Sequence, residues 1–371
     1  MYSTSRQERV FEEIKRLCHS GLGAAELHRE IAASLKRVVP FEGFAGSTMD
    51  PLSALPTGIV HDGKIGKEED TRFFTEHIYF DDGVTDYGWL ARSGSGAMTL
   101  STATGGKLER SLRHREFNAP KGLGNEVRAA FTVGRELWGG LCLVRERGEA
   151  DFERREVELI KRVAPHVGAA LRAAALRREA LQDPADGDSP GVLFLDAGGS
   201  VEHYTASAAA LLRELSGPAE AGWPVEENLP VVVWSVVGAL RRSLRPQNEQ
   251  DRASAPALCV RSSAGRWLTL QASLAEPRDG RPGGTVIVVA PAGPRETIRL
   301  RKSLYGLTPR EEEIVDLVVQ GRSTAQISTA LYISGYTVQD HLSNIFEKVG
   351  VRSRRELVKR LFLDSVAGGG I

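Results

Sequence analysis

Hydrophobic residues near the start of the chain recur every three to four positions, which is the spacing of one face of an α-helix. Two groups carry this pattern: Val10, Ile14 and Leu17, and then Leu27, Ile31, Leu35 and Val38. Denser apolar runs predict strands at residues 41–48, 126–133 and 138–145. The last two strands are separated by Gly134-Arg135-Glu136, which is compatible with a hairpin. The pattern predicts a first block of helices and strands.

A long helix is predicted over residues 151–181. Its apolar residues keep a heptad-like spacing and are Ile160, Ala164, Val167, Leu171 and Ala174. Such a stripe fits a dimer seam between two copies of the chain, and it fits equally a helix that covers its own sheet. The sequence leaves both interpretations open.

Pro, Gly and Asp crowd together at residues 182–191 and predict a linker. A second α+β block follows, with a helix at residues 206–215 and strands at residues 192–195, 201–205, 258–261, 267–274 and 285–289. The strand at 267–274 alternates, and this predicts that Leu268, Leu270, Ala272 and Leu274 face inward. Pro and Gly at residues 290–294 close the block.

The third block, from about residue 296, contains no convincing strand and predicts four short helices with clear caps. Thr308 to Glu311 is a capping box with Pro309 at the first helical position, and Ser353 to Glu356 is another. Ser323 and Ser334 can begin the second and third helices. Only residues 332–335 join these two helices, the length of the turn in a helix-turn-helix.

Composition narrows the classes of function. The 371 residues carry 48 Lys and Arg against 48 Asp and Glu, and 41% are hydrophobic, so the chain is globular and a nucleic acid must be met by a local patch. Three widely spaced cysteines suit a reducing cytosol better than a disulfide framework. The longest apolar run, residues 231–240, is too short for a membrane span. We therefore predict a cytoplasmic protein without a membrane partner, metal or cofactor.

The third helix of the last block has a polar outer face. Val338, Leu342, Ile345 and Val349 form its apolar stripe, which predicts that Gln339, Asp340, Ser343 and Asn344 point outward. Amide, carboxylate and hydroxyl groups of this size can read base edges in a major groove, although any solvated helix face is polar. Six basic residues against one acid between Lys348 and Arg360 favour contact with phosphates. Over residues 301–364 the balance is only +2, so a dimer on two half-sites is predicted.

Three segments of this block carry a specific resemblance: LTPREEEIVDLVVQG from Leu307, ISGYTVQDHLSNIFEKVGV from Ile333 and SRREL from Ser353. They resemble the LuxR-type helix-turn-helix of bacterial transcription regulators. The resemblance implies a helix-turn-helix at residues 324–343, a recognition helix that begins at Thr337-Val338, and RNA polymerase as a further partner. Two base-contacting positions that are often basic in the family hold Gln339 and Ser343 here, which shifts binding toward Lys348 and the arginines beyond it. The predicted DNA-contacting residues are Arg322, Thr324, Thr337, Gln339, Asp340, Ser343, Asn344, Lys348, Arg352, Arg354 and Arg355.

The first two blocks resemble sensor domains more loosely. The first is similar to a GAF domain at Asp50-Pro51, Leu55-Pro56-Thr57-Gly58, Leu90-Ala91-Arg92, Arg110-Ser111, Glu126-Val127-Arg128 and Trp138-Gly139. The second is similar to a PAS domain at GVLFLDAGGSVEHYT, WLTLQASL and TVIVVA. The expected order is a GAF-like sensor or dimerisation domain (5–181), a linker (182–190), a PAS-like domain (191–294) and an all-α, four-helix LuxR-type DNA-binding domain (302–367).

These resemblances imply a transcriptional regulator that binds an operator as a homodimer, under the control of a sensor domain that can hold a small-molecule effector. Candidate ligand contacts are the aromatic residues Phe44, Phe73, Phe74, Trp89, Trp138, Trp234 and Trp267, for each of which packing in the core is the alternative. A ligand-free variant uses both blocks as dimerisation scaffolds. The alternative is a different class of protein: an enzyme or a ligand-binding protein in which the last helices are an interaction module. Against an enzyme, the chain lacks GxSxG, phosphate-loop and complete GxGxxG motifs. A two-component response regulator is a further alternative. The chain lacks its acidic pair after the first strand and its phosphorylatable Asp after a later strand.

Overall fold

The computed structural model describes residues 2–65, 72–75, 84–180, 189–215, 229–244, 256–275 and 283–363. Residues 182–188 of the expected linker and residues 364–367 of the expected DNA-binding domain lie outside the described residues. Within the described ranges, two regions built on antiparallel sheets precede a region of helices. This order confirms the predicted α+β, α+β and all-α sequence of blocks.

The first region is a five-stranded antiparallel sheet with helices around it. Its helices are α1 (Tyr2–His19), α2 (Ala24–Lys36), α3 (Tyr87–Arg92), α4 (Leu100–Thr104) and α5 (Arg154–Ala180). Its strands are β1 (Gly43–Met49), β2 (Pro56–Gly63), β3 (Ala97–Thr99), β4 (Leu123–Val133) and β5 (Glu136–Glu146), in the spatial order β2-β1-β5-β4-β3. The predicted hairpin joins β4 to β5, and Gly134 adopts the positive φ of 61° that its turn requires.

Helix α5 packs on the sheet of its own chain. Its five stripe residues are buried, with exposed fractions from 0% at Ile160 to 8% at Ala174. Gly139 on β5 allows this close approach, because a Cβ atom there would lie 2.5 Å from Leu171 Cδ1. Ile160, Ala164, Val167 and Leu171 belong to the hydrophobic core of the first region. The stripe therefore covers its own sheet, as the second of the two interpretations predicts, and is not an open seam.

The second region is another five-stranded antiparallel sheet, in the order β7-β6-β10-β9-β8. It comprises β6 (Gly191–Leu195), β7 (Val201–Tyr204), α6 (Ala206–Leu215), α7 (Val231–Ser243), β8 (Ala257–Arg261), β9 (Trp267–Leu274) and β10 (Thr285–Pro291). On β9, Leu268, Leu270 and Ala272 are fully buried, as predicted. The prediction is wrong for Leu274, which is 51% exposed because it is the last residue of the strand and extends beyond the core.

The third region contains α8 (Pro294–Tyr305), α9 (Pro309–Val319), α10 (Thr324–Leu331), α11 (Gly335–Val349) and α12 (Arg354–Val358), followed by a π-helical turn at Lys359–Leu363. The capping box of Thr308 and Glu311 is present, and Ser323 forms a second one with Gln326. The predicted box at Ser353 is half formed. Ser353 accepts from the backbone N–H of Glu356, whereas the Glu356 carboxylate accepts from the N–H of Arg352.

Helix α8 connects the sheets to the last helices. Leu300 and Leu304 are 1% exposed and belong to the core of the first region, whereas Tyr305 belongs to the core of the third. Lys302 Nζ also lies 2.5 Å from Asp316 Oδ1 on α9. The first and third regions are therefore joined by packed side chains as well as by the backbone.

Candidate nucleic-acid interface

Helices α10 and α11 form the predicted helix-turn-helix. Ser323 Oγ accepts from Gln326 N at 3.3 Å and begins α10, and Ser334 Oγ accepts from Thr337 N at 3.0 Å and begins α11. Tyr332 ends α10 in a left-handed conformation with φ of 55°. Arg310 on α9 donates to Leu331 O at 2.6 Å, so that a cation lies at the negative end of α10. Local side chains thus fix both ends of the turn.

Helix α11 buries one stripe and exposes the opposite face. Its apolar side chains Val338, Leu342, Ile345 and Val349 are at most 4% exposed and fill the core of the third region. The side chains predicted to contact bases, Gln339, Asp340, Ser343 and Asn344, lie on the other face, and all four are exposed to solvent. The periodicity therefore assigned the two faces of this helix correctly.

One hydroxyl group brings several predicted DNA-contacting residues together. Thr324 Oγ1 accepts from Gln339 Nε2 at 3.2 Å and from Arg354 Nη2 at 2.9 Å. Arg354 also donates to the backbone carbonyl of Arg322 at 2.8 Å. These bonds join the N-terminal ends of α10 and α12 to the first turns of α11. Since helix N-termini favour anions, this junction suits a phosphate group of the DNA backbone.

The basic cluster between Lys348 and Arg360 contains residues that are exposed and residues that bond within the chain. Arg352 and Arg355 are exposed, whereas Lys348 Nζ lies 2.6 Å from Glu311 Oε2 and 3.2 Å from Gly306 O. Burial raises the pKa of Glu311, but the bonds from Lys348 and Thr308 outweigh this effect and leave the pKa below its usual value. Lys348 has a partner within the chain, and its contact with phosphate stays a prediction.

Two aromatic residues near the turn were missed by the sequence analysis. Tyr332 is 96% exposed and Tyr336, in the first turn of α11, is 77% exposed. Neither belongs to the apolar stripe of α11. An aromatic residue at a position outside that stripe was the feature of the sequence that could have predicted their exposure. Large exposed aromatic side chains beside a polar helix face are typical of binding surfaces.

The aromatic residues predicted as ligand contacts do not lie at one common site. Phe44 lies in the first core and Trp234 in the second, whereas Trp89 is 41% exposed. Phe74 lines a cavity in the first region together with Tyr87, Phe117 and a buried polar group of Arg113, Glu126 and Arg128. Trp138 and Trp267 line another cavity, between the first and second regions.

No group of three or more His, Cys, Asp or Glu residues with a metal-binding arrangement is found among the described residues. Within those same ranges, no helix combines the length and apolar character needed to cross a membrane.

Comparison with known proteins bears on the third region. A family model described as bacterial regulatory proteins of the LuxR family matches residues 305–361. Spore germination protein GerE of Bacillus subtilis is 44% identical over 55 residues, which are 15% of this chain and 74% of GerE. Transcriptional regulatory protein DegU of Brevibacillus brevis is 39% identical over 74 residues, 20% of this chain but only 30% of DegU.

Among solved structures, SdiA of Escherichia coli aligns over 100% of both chains at 10% identity, with a TM-score of 0.34. This score is too low to assign the folds of the two sheet-bearing regions. The match to GerE, in contrast, covers most of that protein, and the family model spans α10, the turn and α11. The chain therefore belongs to the LuxR family of bacterial regulatory proteins and is a transcriptional regulator with a DNA-binding helix-turn-helix domain.

Proposed function

We propose that the chain recognises its operator with the polar face of α11 in the major groove. The observation that carries this proposal is the division of α11 into a buried apolar stripe and an opposite row of Gln339, Asp340, Ser343 and Asn344. Gln and Asn can bond adenine at two positions, and Asp can accept from the amino group of cytosine. Thr337, in the first turn, is held by the Ser334 cap.

Phosphate contacts are assigned to the residues around this face. Arg322, Thr324 and Arg354 meet at the N-terminus of α10, and Arg352 and Arg355 are exposed beside the N-terminus of α12. Arginine side chains and helix N-termini are the groups that position proteins on the duplex without reading sequence. Lys348 is assigned to the same set. On DNA, the phosphates compete with the carboxylate of Glu311 for its ammonium group.

A homodimer is the working form in this proposal. A single unit with a net charge of +2 over residues 301–364 gains little from phosphates, and two units on two half-sites gain twice as much. Because the stripe of α5 is buried within its own chain, the dimer uses another surface.

The two sheet-bearing regions serve as sensors in this proposal. We assign residues 5–181 to a GAF-like domain, 182–190 to a linker, 191–294 to a PAS-like domain and 302–367 to the DNA-binding domain. The five-stranded antiparallel sheets with flanking helices support this division. A small-molecule effector acts on the sensors, RNA polymerase is a second partner, and the protein works in the cytoplasm.

Selection from a pool of random-sequence duplexes tests the proposal. The full chain is incubated with the pool at two salt concentrations, and the bound duplexes are sequenced. We expect an enriched palindrome whose half-sites lie about 10 bp apart or a multiple of this, with affinity that falls steeply as salt increases. Residues 296–371 tested alone report whether the sensor regions restrict binding. Equal recovery of all sequences by both proteins would contradict operator recognition.

A further inference from the structure

An exposed aromatic ring shares the polar face of α11. Tyr336 lies in the first turn of this helix and is 77% exposed. At about 100° per residue, Asp340 and Ser343 lie within about 40° of Tyr336 around the helix axis. Val338 and Leu342, which belong to the apolar stripe, are at most 2% exposed. The ring of Tyr336 is therefore on the face that the helix turns away from its core.

The position of Tyr336 along α11 favours a contact with DNA. The helix begins at Gly335, where the Ser334 cap holds the first turn. Side chains of an α-helix tilt toward its N-terminus, so the ring extends beyond the first turn. In a helix-turn-helix, the N-terminal residues of the second helix contact base edges in the major groove. Tyr336 is thus at the end of α11 from which such contacts are made.

An apolar ring recognises a group that the other side chains of this face do not. The exposed residues that follow it end in amide, carboxylate or hydroxyl groups and are Gln339, Asp340, Ser343 and Asn344. In the major groove, thymine presents a C5 methyl group, which the other three bases lack, and apolar side chains such as Phe recognise this group by contact. A tyrosine ring offers the same kind of surface.

Two of the polar residues also use their donors within the protein. Gln339 Nε2 donates to Thr324 Oγ1 at 3.2 Å, and Ser343 Oγ donates to the backbone carbonyl of Gln339 at 3.0 Å. The ring of Tyr336 needs no donor to recognise a methyl group. Its contribution to sequence recognition is therefore independent of these bonds.

The turn before α11 presents a second aromatic residue at a cost in backbone strain. Tyr332 is 96% exposed and has φ of 55°, a left-handed conformation that Gly or Asn adopts more easily at a helix end. Strained residues of this kind cluster at binding sites, where function retains them. The strain at Tyr332 is a second observation that points to an interaction surface at this end of α11.

We propose that the ring of Tyr336 packs against the C5 methyl group of one thymine in each half-site of the operator. This inference rests on the proposed function, the recognition of an operator by α11. One turn of the helix advances about 5.4 Å and one base step about 3.4 Å, so the thymine lies within about two base pairs of the base that Asp340 contacts. Tyr336 thus selects a T·A pair by an apolar contact.

Replacement of thymine by uracil tests the contact, because uracil differs from thymine only in lacking the methyl group. The duplexes carry the operator that the full chain selects, each with one thymine replaced, and they are titrated with the full-length wild type, Tyr336→Phe and Tyr336→Ala. At one thymine of each half-site, we expect the replacement to weaken binding of the wild type about three- to fivefold, the effect of burying one methyl group. Tyr336→Phe should keep this difference, and Tyr336→Ala should bind both duplexes equally.

Tyr332→Asn is the matched control. It removes the other exposed ring and places a residue that tolerates the left-handed backbone, so the difference between the thymine and uracil duplexes should stay unchanged. Tyr336→Ala should fold, because the side chain is exposed and alanine has the highest helix propensity. A thermal melt equal to that of the wild type checks this.

Three results would overturn the inference: no thymine whose methyl group matters, a methyl effect that persists in Tyr336→Ala, or a methyl effect that is lost in Tyr332→Asn. If Tyr336→Ala binds every duplex as tightly as the wild type, the ring does not contact DNA and belongs to a contact with another protein. If the wild type selects no operator at all, operator recognition itself fails. An operator that is selected but shows no methyl effect contradicts the role of Tyr336 alone.

Discussion

Glu126 on β4 is the carboxylate of a buried charged cluster, and its replacement by Gln tests how that cluster stabilises the first region. Its Oε1 lies 2.8 Å from Arg113 Nη2 and 2.9 Å from Arg128 Nε, and its Oε2 accepts from Asn118 Nδ2 at 2.8 Å. All four side chains are at most 2% exposed. Glu126→Gln keeps the shape and leaves two buried guanidinium groups beside a neutral amide.

The size of the effect follows from the pKa of Glu126. Burial raises this pKa, but Arg113 and Arg128 outweigh burial and lower it from 4.5 to about 2. A difference of this size between the unfolded and folded protein corresponds to about 3 kcal/mol at neutral pH. Removal of one partner from a buried ion pair costs about 3–5 kcal/mol. We therefore expect Glu126→Gln to lower the free energy of unfolding by about 3 kcal/mol.

The pH dependence has a defined sign. Because the folded pKa is depressed, the contribution is fully present above about pH 4.5, the value of the unfolded chain, and is lost as the pH falls toward 2. Glu126→Gln lacks this contribution at every pH. The stabilities of the wild type and the variant should thus converge between pH 4.5 and pH 2.

Urea denaturation followed by circular dichroism measures the difference, in the transition that unfolds the first sheet. The control is Glu158→Gln, which removes an exposed carboxylate 3.2 Å from Lys161 and should cost less than about 0.5 kcal/mol. A loss below about 1 kcal/mol for Glu126→Gln at pH 7, or a constant difference down to pH 2, would refute the reasoning.

The remaining predictions concern the third region. Arg355→Ala should weaken binding to all DNA sequences and reduce the slope of log affinity against log salt by about 0.9; an unchanged slope argues against a phosphate contact. Gln339→Ala should cost about 1–3 kcal/mol at one base position of the operator, measured by binding to single-base variants, and a uniform loss would exclude base reading. Lys348→Ala should weaken DNA binding and also lower thermal stability, because Glu311 is 3% exposed and loses its cation; equal melting temperatures would contradict the pairing. Tyr332→Gly should raise stability by about 1 kcal/mol in urea denaturation, since φ is 55°, and a destabilised variant would show that the exposed ring contributes.

The third region could be predicted from the sequence almost helix by helix. Thr308 and Glu311, Ser323 and Gln326, and Ser334 and Thr337 are pairs three residues apart whose hydrogen bonds depend only on local geometry. The stripe of α11 predicted its buried and polar faces correctly, and the family match confirmed the helix-turn-helix. The contact residues on the polar face stay predictions.

The hydrophobic patterns of the sequence could not predict contacts between residues that are far apart along the chain. The heptad-like stripe of α5 has the same spacing whether it meets a second chain or its own sheet, and only the packed sheet decides between them. Strands β2 and β3 were missed, because a short or partly exposed strand has a weak period and is stabilised by its neighbours. The apolar run at residues 231–240 was recognised, but its assignment to helix α7 required the structure.

The sequence by itself determined the order of the blocks, the helices of the DNA-binding domain and the polar face of α11, because spacing and caps act over three or four residues along the chain. Tertiary structure alone decided that Lys348 pairs with Glu311, that Thr324 joins Gln339 to Arg354, and that Trp138 and Trp267 line one cavity between the first and second regions. These groups are brought together by the burial of separate apolar surfaces in shared cores. Such burial depends on the whole fold, so no local pattern encodes the neighbours that it creates.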